Sequence, residues 1–401
     1  MANSLEIALS KVNLDIVWRY EKSRLLKSSY GIDRKSGFDF QEKLSLEFFE
    51  LRQKAKNSFK PKGLLAVAQP KPNGSGNRII CIPTISDRML QFALLNELRP
   101  NLANRGLLNS VSYGLMRDAN RTVQDAREKG LLFRKSLPWV YKTDIEKFFD
   151  NVPRATVREA VKRVVSKRSL HNVVMSFIDT EIEDGFDSNW QQIVKNAGIE
   201  NGKGIRQGMP LSPYFAGMIL LDLDEKIQKS GVAAIRYIDD IAAFFQTRQQ
   251  CIQFDKFLRE ELAHIGLEIG PIGAEGSKTT IYNPDEAALF LGLEMTKQDS
   301  GDYQLLIPQR CIQKVGAKFA TMGSVDKLLQ KQITLPKLGG FLDAMEAGYT
   351  QAYKCADNIN ELTSELKNMK KAALNGVLEE ALGEQFKNLA PKIRKFLGVT
   401  K

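Results

Sequence analysis

Apolar and polar positions along this chain follow two periods. Through residue 60 the apolar positions recur at helical spacing among many charges, at Leu14, Val17 and Trp18 and again at Leu44, Leu46, Phe49 and Leu51. That pattern predicts helices with one buried face. Between them, Tyr30 to Gly37 reads as a glycine-bounded loop. The run Gln69 to Asn77, rich in Pro, Asn and Gly, predicts a hairpin tip, after which Arg78 to Ile82 resumes as a strand that Pro83 stops. A helix is predicted from Ser86, as its N-cap, through Met89, Leu90, Phe92, Leu94 and Leu95.

Further on, Trp139 to Ile145 is aromatic and β-branched, hence a short buried strand, and a helix follows Pro153. A helical, polar insert over about residues 155–200 precedes the loop Gly204 to Pro213 and an apolar helix from Tyr214 to about Ile227. Ala233 to Ile238 and Ile241 to Phe245 read as two strands of a tight hairpin separated by Asp239-Asp240. The tail from about Ile307 is helical, with scattered lysines.

Composition narrows the class. At 401 residues the chain has room for roughly two or three domains with cores of their own. Apolar residues at 43% and charged residues at 26% exclude collagen-like, low-complexity and wholly disordered classes. Lys and Arg total 58 against 47 Asp and Glu, and the net charge of +11 suits a polyanionic partner or, equally, serves solubility. No apolar run approaches the roughly 18 residues of a membrane span, and Met1 to Ser10 lacks the layout of a secretory signal. The expectation is a cytoplasmic protein with no membrane partner. Four widely spaced cysteines and two histidines supply no zinc or disulfide framework, so catalysis would lean on carboxylates.

Adjacent aspartates amid β-formers carry a cost, because like charges repel and Asp disfavours strands. A divalent cation would offset it, and Asp144 at the end of another predicted strand would complete a hard-oxygen site suited to Mg²⁺. Taken alone, the pair reads as an ordinary solvated turn.

The pair has company. Tyr237-Ile238-Asp239-Asp240 resembles the Tyr-x-Asp-Asp box of reverse transcriptases, and the stretch Val140 to Asp150 resembles their first metal-binding motif. Gln207-Gly208-Met209-Pro210-Leu211-Ser212-Pro213 is similar to the Gln-Gly-x-x-x-Ser-Pro element lying between those two motifs. Upstream, Pro70-Lys71-Pro72-Asn73-Gly74 through Arg78, and Ile82 to Arg88, are similar to the fingers of group II intron-like bacterial enzymes. Gly31-Ile32-Asp33, Ser112-Tyr113-Gly114, Ser277-Lys278-Thr279 and Phe290-Leu291-Gly292 also match, in the family's order.

The resemblance implies an α+β right-hand polymerase: an N-terminal extension and fingers over 1–138, a palm with an antiparallel sheet over 139–306, and a helical thumb over 307–401. It implies that Asp144, Asp239 and Asp240, with the backbone of Ile145, hold two Mg²⁺ ions, for which Mn²⁺ could substitute. Lys71, Arg78, Phe149, Gln207 and Lys278 match positions around the incoming deoxynucleotide, Phe149 as the steric gate and Lys278 near the triphosphate. Gly208 and Tyr237 fall on the template–primer side, together with the thumb lysines Lys314 and Lys318. Asp150 and Asp222 read as capping or surface acids.

The implied activity is RNA-directed DNA synthesis, with an RNA template, dNTPs and a DNA product. The middle motif lacks the Thr-Pro-Gln-Gly-Gly form of intron maturases, no zinc-ligand tail follows, and no Val-Thr-Gly signature of retron enzymes is found. The chain is thus most similar to the stand-alone, defence-associated bacterial class, which works with a noncoding RNA against phage. The alternatives are an intron maturase, a CRISPR-associated reverse transcriptase and a catalytically silent RNA-binding relative.

Overall fold

The structure is a computed structural model that describes residues 3–56, 59–71, 76–115, 121–183, 188–390 and 392–393. The chain forms two compact units: Met1–Arg121 with Tyr141–Ala243 and Gln249–Thr280, and Thr122–Val140 with Phe244–Arg248 and Ile281–Lys401. Its mixture of helices and small sheets is α+β.

The first unit opens with helices Ser4–Ala8, Lys11–Lys27, Gly37–Glu42 and Leu44–Lys56. Trp18 stacks at a tilt against Phe40, with ring centroids 5.5 Å apart. In the fourth helix the buried face runs through Phe48, Leu51 and Ala55, so Leu46 and Phe49, expected inside, are 54% and 57% exposed. Both fall off the stripe set by the i, i+3, i+7 spacing of the buried positions.

Strands β1 (Leu65–Pro70) and β2 (Asn77–Ile82) pair antiparallel from Leu65↔Ile82 to Pro70↔Asn77. Of the predicted tip, Gln69, Pro70 and Asn77 belong to the paired strands and residues 72–75 lie outside the described residues, as do 116–120 of the fingers stretch, 184–187 of the insert, and 391 and 394–401 of the tail. Leu64, Ala66, Ile79 and Cys81 of this hairpin form a small core with Met209, against which Ile182 and Ile199 pack.

Two boundaries differ from the sequence reading. The helix Ile85–Leu102 is capped by Thr84, not Ser86: the Thr84 hydroxyl accepts from the Asp87 N–H at 3.1 Å and donates to the Asp87 carboxylate at 2.9 Å. Ser86 lies inside the helix and donates to Glu47. The apolar helix expected over 214–227 is two, Ser212–Ile219 and Leu221–Lys229, parted at Leu220 where ψ rises to 4°.

Strands β3 (Ser112–Tyr113), β4 (Trp139–Asp144), β5 (Ala233–Tyr237), β6 (Asp240–Phe245) and β7 (Thr280–Tyr282) form one sheet in the order β3-β5-β6-β4-β7. The pair β3 and β5 is parallel, with Ser112 opposite Arg236. The order sets β6 beside β4, and with it the two acid-bearing strand ends.

The second unit holds a three-stranded antiparallel sheet that the sequence pattern did not disclose: β8 (Ala288–Phe290), β9 (Leu293–Lys297) and β10 (Tyr303–Leu306), in the order β10-β9-β8. The fully buried Arg134 donates to the Met295 carbonyl at 2.7 Å and lies over the Tyr303 ring at 4.7 Å. Helices Gln309–Ala320, Leu335–Ala352 and Ile359–Leu382 follow and bury Ile312, Phe319, Leu338, Leu342, Leu362 and Leu366. Among the described residues no helix is long and apolar enough to cross a membrane.

Candidate active site

The floor of the candidate site is made by two strand ends. β4 is fixed from both sides: the Tyr141 hydroxyl donates to Asp255 at 2.8 Å, and the Thr143 and Thr279 hydroxyls meet at 2.7 Å. Asp144 stands at its C-terminal end. The hairpin turn is Ile238-Asp239, one residue earlier than the sequence reading, and Asp240 already opens β6. The reason is at Ile238, whose φ of +61° ends the strand. The Ile145 N–H donates to the Asp239 carbonyl at 3.2 Å and ties the β4 end to the turn.

These carboxylates feel one another. Burial, then Asp240 and Asp144 beside it, pushes the Asp239 carboxyl up to about 6. Burial likewise raises Asp240, with Lys142 acting against it and Asp144 adding to it. The counter-charges are two lysines: Lys278 is ion-paired with Asp144, and the Lys142 ammonium is 3.7 Å from Asp240. Among the described residues no three His, Cys, Asp or Glu side chains are closed into a coordination cage. The donor set of crowded, partly compensated carboxylate oxygens nevertheless has the chemistry that a hard divalent cation takes.

Above this floor is a cavity of about 480 Å³, lined among others by Asp144, Ile145, Asp239, Lys71, Arg78, Phe149, Gln207 and Lys278. Five widely separated stretches of sequence are thereby brought together. Phe148 and Phe149 both border the cavity but differ in burial: Phe148 is 1% exposed and belongs to the core, while Phe149, which meets it edge-on at 5.3 Å, is only half-buried. The Gln207 carbonyl accepts from the Cys81 N–H at 2.7 Å, which ties the loop to β2. Gly208, at φ +103°, makes that approach possible, since a Cβ there would be 2.4 Å from the Cys81 carbonyl oxygen.

Gly208 lies on a second cavity of about 380 Å³, which shares Phe149 and Gln207 with the first and adds Arg24, Arg99 and Tyr214. Tyr237 packs its ring on Gly114, where a Cβ would be 2.7 Å from the ring edge. That contact gives the Ser112-Tyr113-Gly114 motif its reason. Lys314 and Lys318 stand on helix Gln309–Ala320 of the second unit, the Lys318 ammonium 5.7 Å from the centre of the Tyr349 ring.

One expectation is corrected. Asp222 is a surface acid, ion-paired with Arg163, but Asp150 lines the first cavity. Burial raises its carboxyl, with Arg206, Lys147, Lys71 and Arg78 opposing. The one-turn helix Phe148–Asn151, entered through a left-handed Lys147 at φ +44°, carries both Phe149 and Asp150 to the cavity wall. Lys142 also went unread: its spacing two residues before Asp144 was the available signal, since side chains at i and i+2 share a sheet face.

Residues 69–295 match the family model described as reverse transcriptase (RNA-dependent DNA polymerase). Among solved structures, a chain of the "Partial Cas6-RT-Cas1--Cas2 complex" matches with 20% identity over 66% of this chain and 42% of that one, at a TM-score of 0.37. A chain of the telomerase from Candida albicans, solved with a fragment of telomeric RNA, matches with 12% identity over 88% of this chain and 69% of that one, at a TM-score of 0.43. This chain therefore spans less than half the length of the first of these. No curated protein matches it. With more than half its residues under the family model, the chain belongs to the reverse transcriptase family.

Proposed function

We propose that this member of the reverse transcriptase family is an RNA-directed DNA polymerase that joins deoxynucleotides to a primer 3′-hydroxyl. The observation that carries the reading is the meeting of Asp144 and Asp239 on the floor of a cavity whose walls bear Lys71, Arg78, Phe149 and Lys278. Acids and cations lining one cavity suit a magnesium-bound triphosphate.

In this reading Asp144, Asp239, Asp240 and the Ile145 carbonyl hold two Mg²⁺ or Mn²⁺ ions, which when bound make the primer hydroxyl a better nucleophile and offset charge on the leaving pyrophosphate. Lys71, as a point charge, and Arg78, as a planar fork, take phosphate oxygens. The Phe149 ring occupies the volume a ribose 2′-hydroxyl would need. Gln207 lies against the nascent base pair, and Lys278 donates a proton to the pyrophosphate. Gly208 and Tyr237 bound the template–primer side, and Lys314 and Lys318 of a thumb over 307–401 grip the nucleic-acid backbone, with fingers over 1–138 and palm over 139–306.

The resemblance to stand-alone defence-associated enzymes supports a cognate noncoding RNA as template, in the cytoplasm, in antiphage defence. Sequencing the RNA and cDNA bound to the protein in cells tests that part. For the chemistry, the purified protein with its co-purified RNA, dNTPs and Mg²⁺ should incorporate nucleotides, and Asp239→Ala should abolish incorporation while retaining the RNA. No incorporation on any template would favour a silent RNA-binding relative.

A further inference from the structure

The geometry points to Arg236 as a positioning residue for the acid turn: backed by Asp224, it holds the peptide between Ile238 and Asp239 in the left-handed turn that aims Asp239 at the cavity. The inference rests on the polymerase reading but concerns residues outside the motif's acids.

Five non-glycine residues among those described have positive φ, namely Arg34, Lys147, Ile238, Leu291 and Gln332, and Ile238 alone of them is β-branched. A branched side chain in the left-handed region is a true outlier, because its Cβ substituents crowd the backbone on both sides. Such a conformation persists only where its surroundings impose it.

What imposes it is on the same strand. Arg236 donates from Nη1 to the Ile238 carbonyl at 2.8 Å. The rest of its guanidinium is committed elsewhere: Nε donates to Asp224 at 2.6 Å, and Nη2 donates to the other Asp224 oxygen and to the Ser112 hydroxyl, the latter at 3.0 Å. Asp224 also accepts from Asn109 at 3.2 Å, and the Asn109 side-chain oxygen accepts from the N–H groups of Val111 and Ser112 at 2.9 and 2.8 Å. The Arg236 and Asp224 side chains are 0% and 1% exposed, so the bonds that tie the guanidinium to Asp224 and Ser112 are shielded from water. The fork is thus oriented from two sides, and its remaining arm reaches the one carbonyl whose rotation would swing Asp239. A lysine, with a single terminal nitrogen, cannot hold Asp224, Ser112 and Ile238 together.

A purely structural ion pair would explain the burial but not the need for the arm on Ile238. The test compares wild type with Arg236→Lys, Ile238→Gly and the double variant R236K/I238G, reading Mn²⁺ affinity by electron paramagnetic resonance, kcat and KM for dNTP incorporation, and the urea midpoint. Arg236→Lys should weaken Mn²⁺ binding and lower kcat by about 10- to 100-fold with little change in KM, the scale of one charged hydrogen bond. Ile238→Gly alone should stay near wild type, since glycine enters the left-handed region freely. R236K/I238G should regain most of the Mn²⁺ affinity and kcat although its urea midpoint stays low. A double variant no better than R236K, or an R236K that loses stability yet keeps Mn²⁺ affinity and kcat, overturns the inference. Should R236K fail to fold, R236Q/D224N, which removes both buried charges together, carries the same comparison with and without Ile238→Gly. Wild type that binds Mn²⁺ but incorporates no nucleotide would sink the polymerase reading instead, and the Mn²⁺ readout would still report on the turn.

Discussion

Two clusters of charge meet at β5 and its turn, one through Arg236 and the other through Asp239, and they are built on opposite terms. Asp224 and Arg236 are sealed from water and matched oxygen for nitrogen, with Asn109 and Ser112 taking up the remaining valences. Asp144, Asp239 and Asp240 are crowded together, the first two lining a cavity, and are answered by lysines set to one side. Buried charges that are fully paired maintain a shape, whereas charges left in excess at a cavity are available to something that enters it.

Breaking the matched pair should produce the largest effect. Asp224→Ala strands Arg236 in the core, and chemical denaturation should record a loss of about 3–5 kcal/mol. Asp239→Asn should leave the urea midpoint at or above wild type while ending synthesis. A midpoint that fell as far for Asp239 as for Asp224 would erase the contrast.

Asp87 separates burial from function. Burial pushes its carboxyl up to about 6, although it accepts from the Thr84 hydroxyl and the Lys62 N–H. Its folded value lies above the unfolded one, so its contribution to stability is full below pH 4 and is lost as the pH rises through 6. Asp87→Asn should match wild type near pH 4 and exceed it at pH 7.5, by at most about 3 kcal/mol for a shift of this size. Melting curves across that range check the sign, and synthesis should be unaffected by the substitution.

Phe149→Ala should relax sugar selection on the excess-charge side, raising ribonucleotide incorporation by about 10- to 100-fold, on the scale of one buried ring's contacts. Competition between dCTP and CTP measures it; unchanged rejection would move the gate elsewhere. The smallest effect concerns Lys278. Removing a mostly exposed competitor for Asp144 with Lys278→Met should tighten Mn²⁺ binding by about 2- to 5-fold, the worth of a surface ion pair. Weaker binding would mean that Lys278 supports the metal site.

The acids were legible in the sequence because strand ends and a tight turn are local, and β-formers around Asp144 and Asp239-Asp240 announce both. So was the division between Phe148 and Phe149, up to which ring faced inward. The pairing of Lys142 with Asp240 was not, since it depends on β4 and β6 being neighbours. Asp150 was misread for a similar reason: in a one-turn helix no periodicity tells wall from surface. Ser86 and Thr84 are both competent caps, and only the reciprocal bond with Asp87 decides between them.

The bond between the Cys81 amide and the Gln207 carbonyl has a mechanical reading. It couples the hairpin that carries Lys71 and Arg78 to the loop that carries Gln207, with Gly208 leaving no slack between them. On the proposed polymerase reading, a tilt of that hairpin toward a nucleotide would carry the loop with it, so that holding the phosphates and meeting the base would become a single stroke.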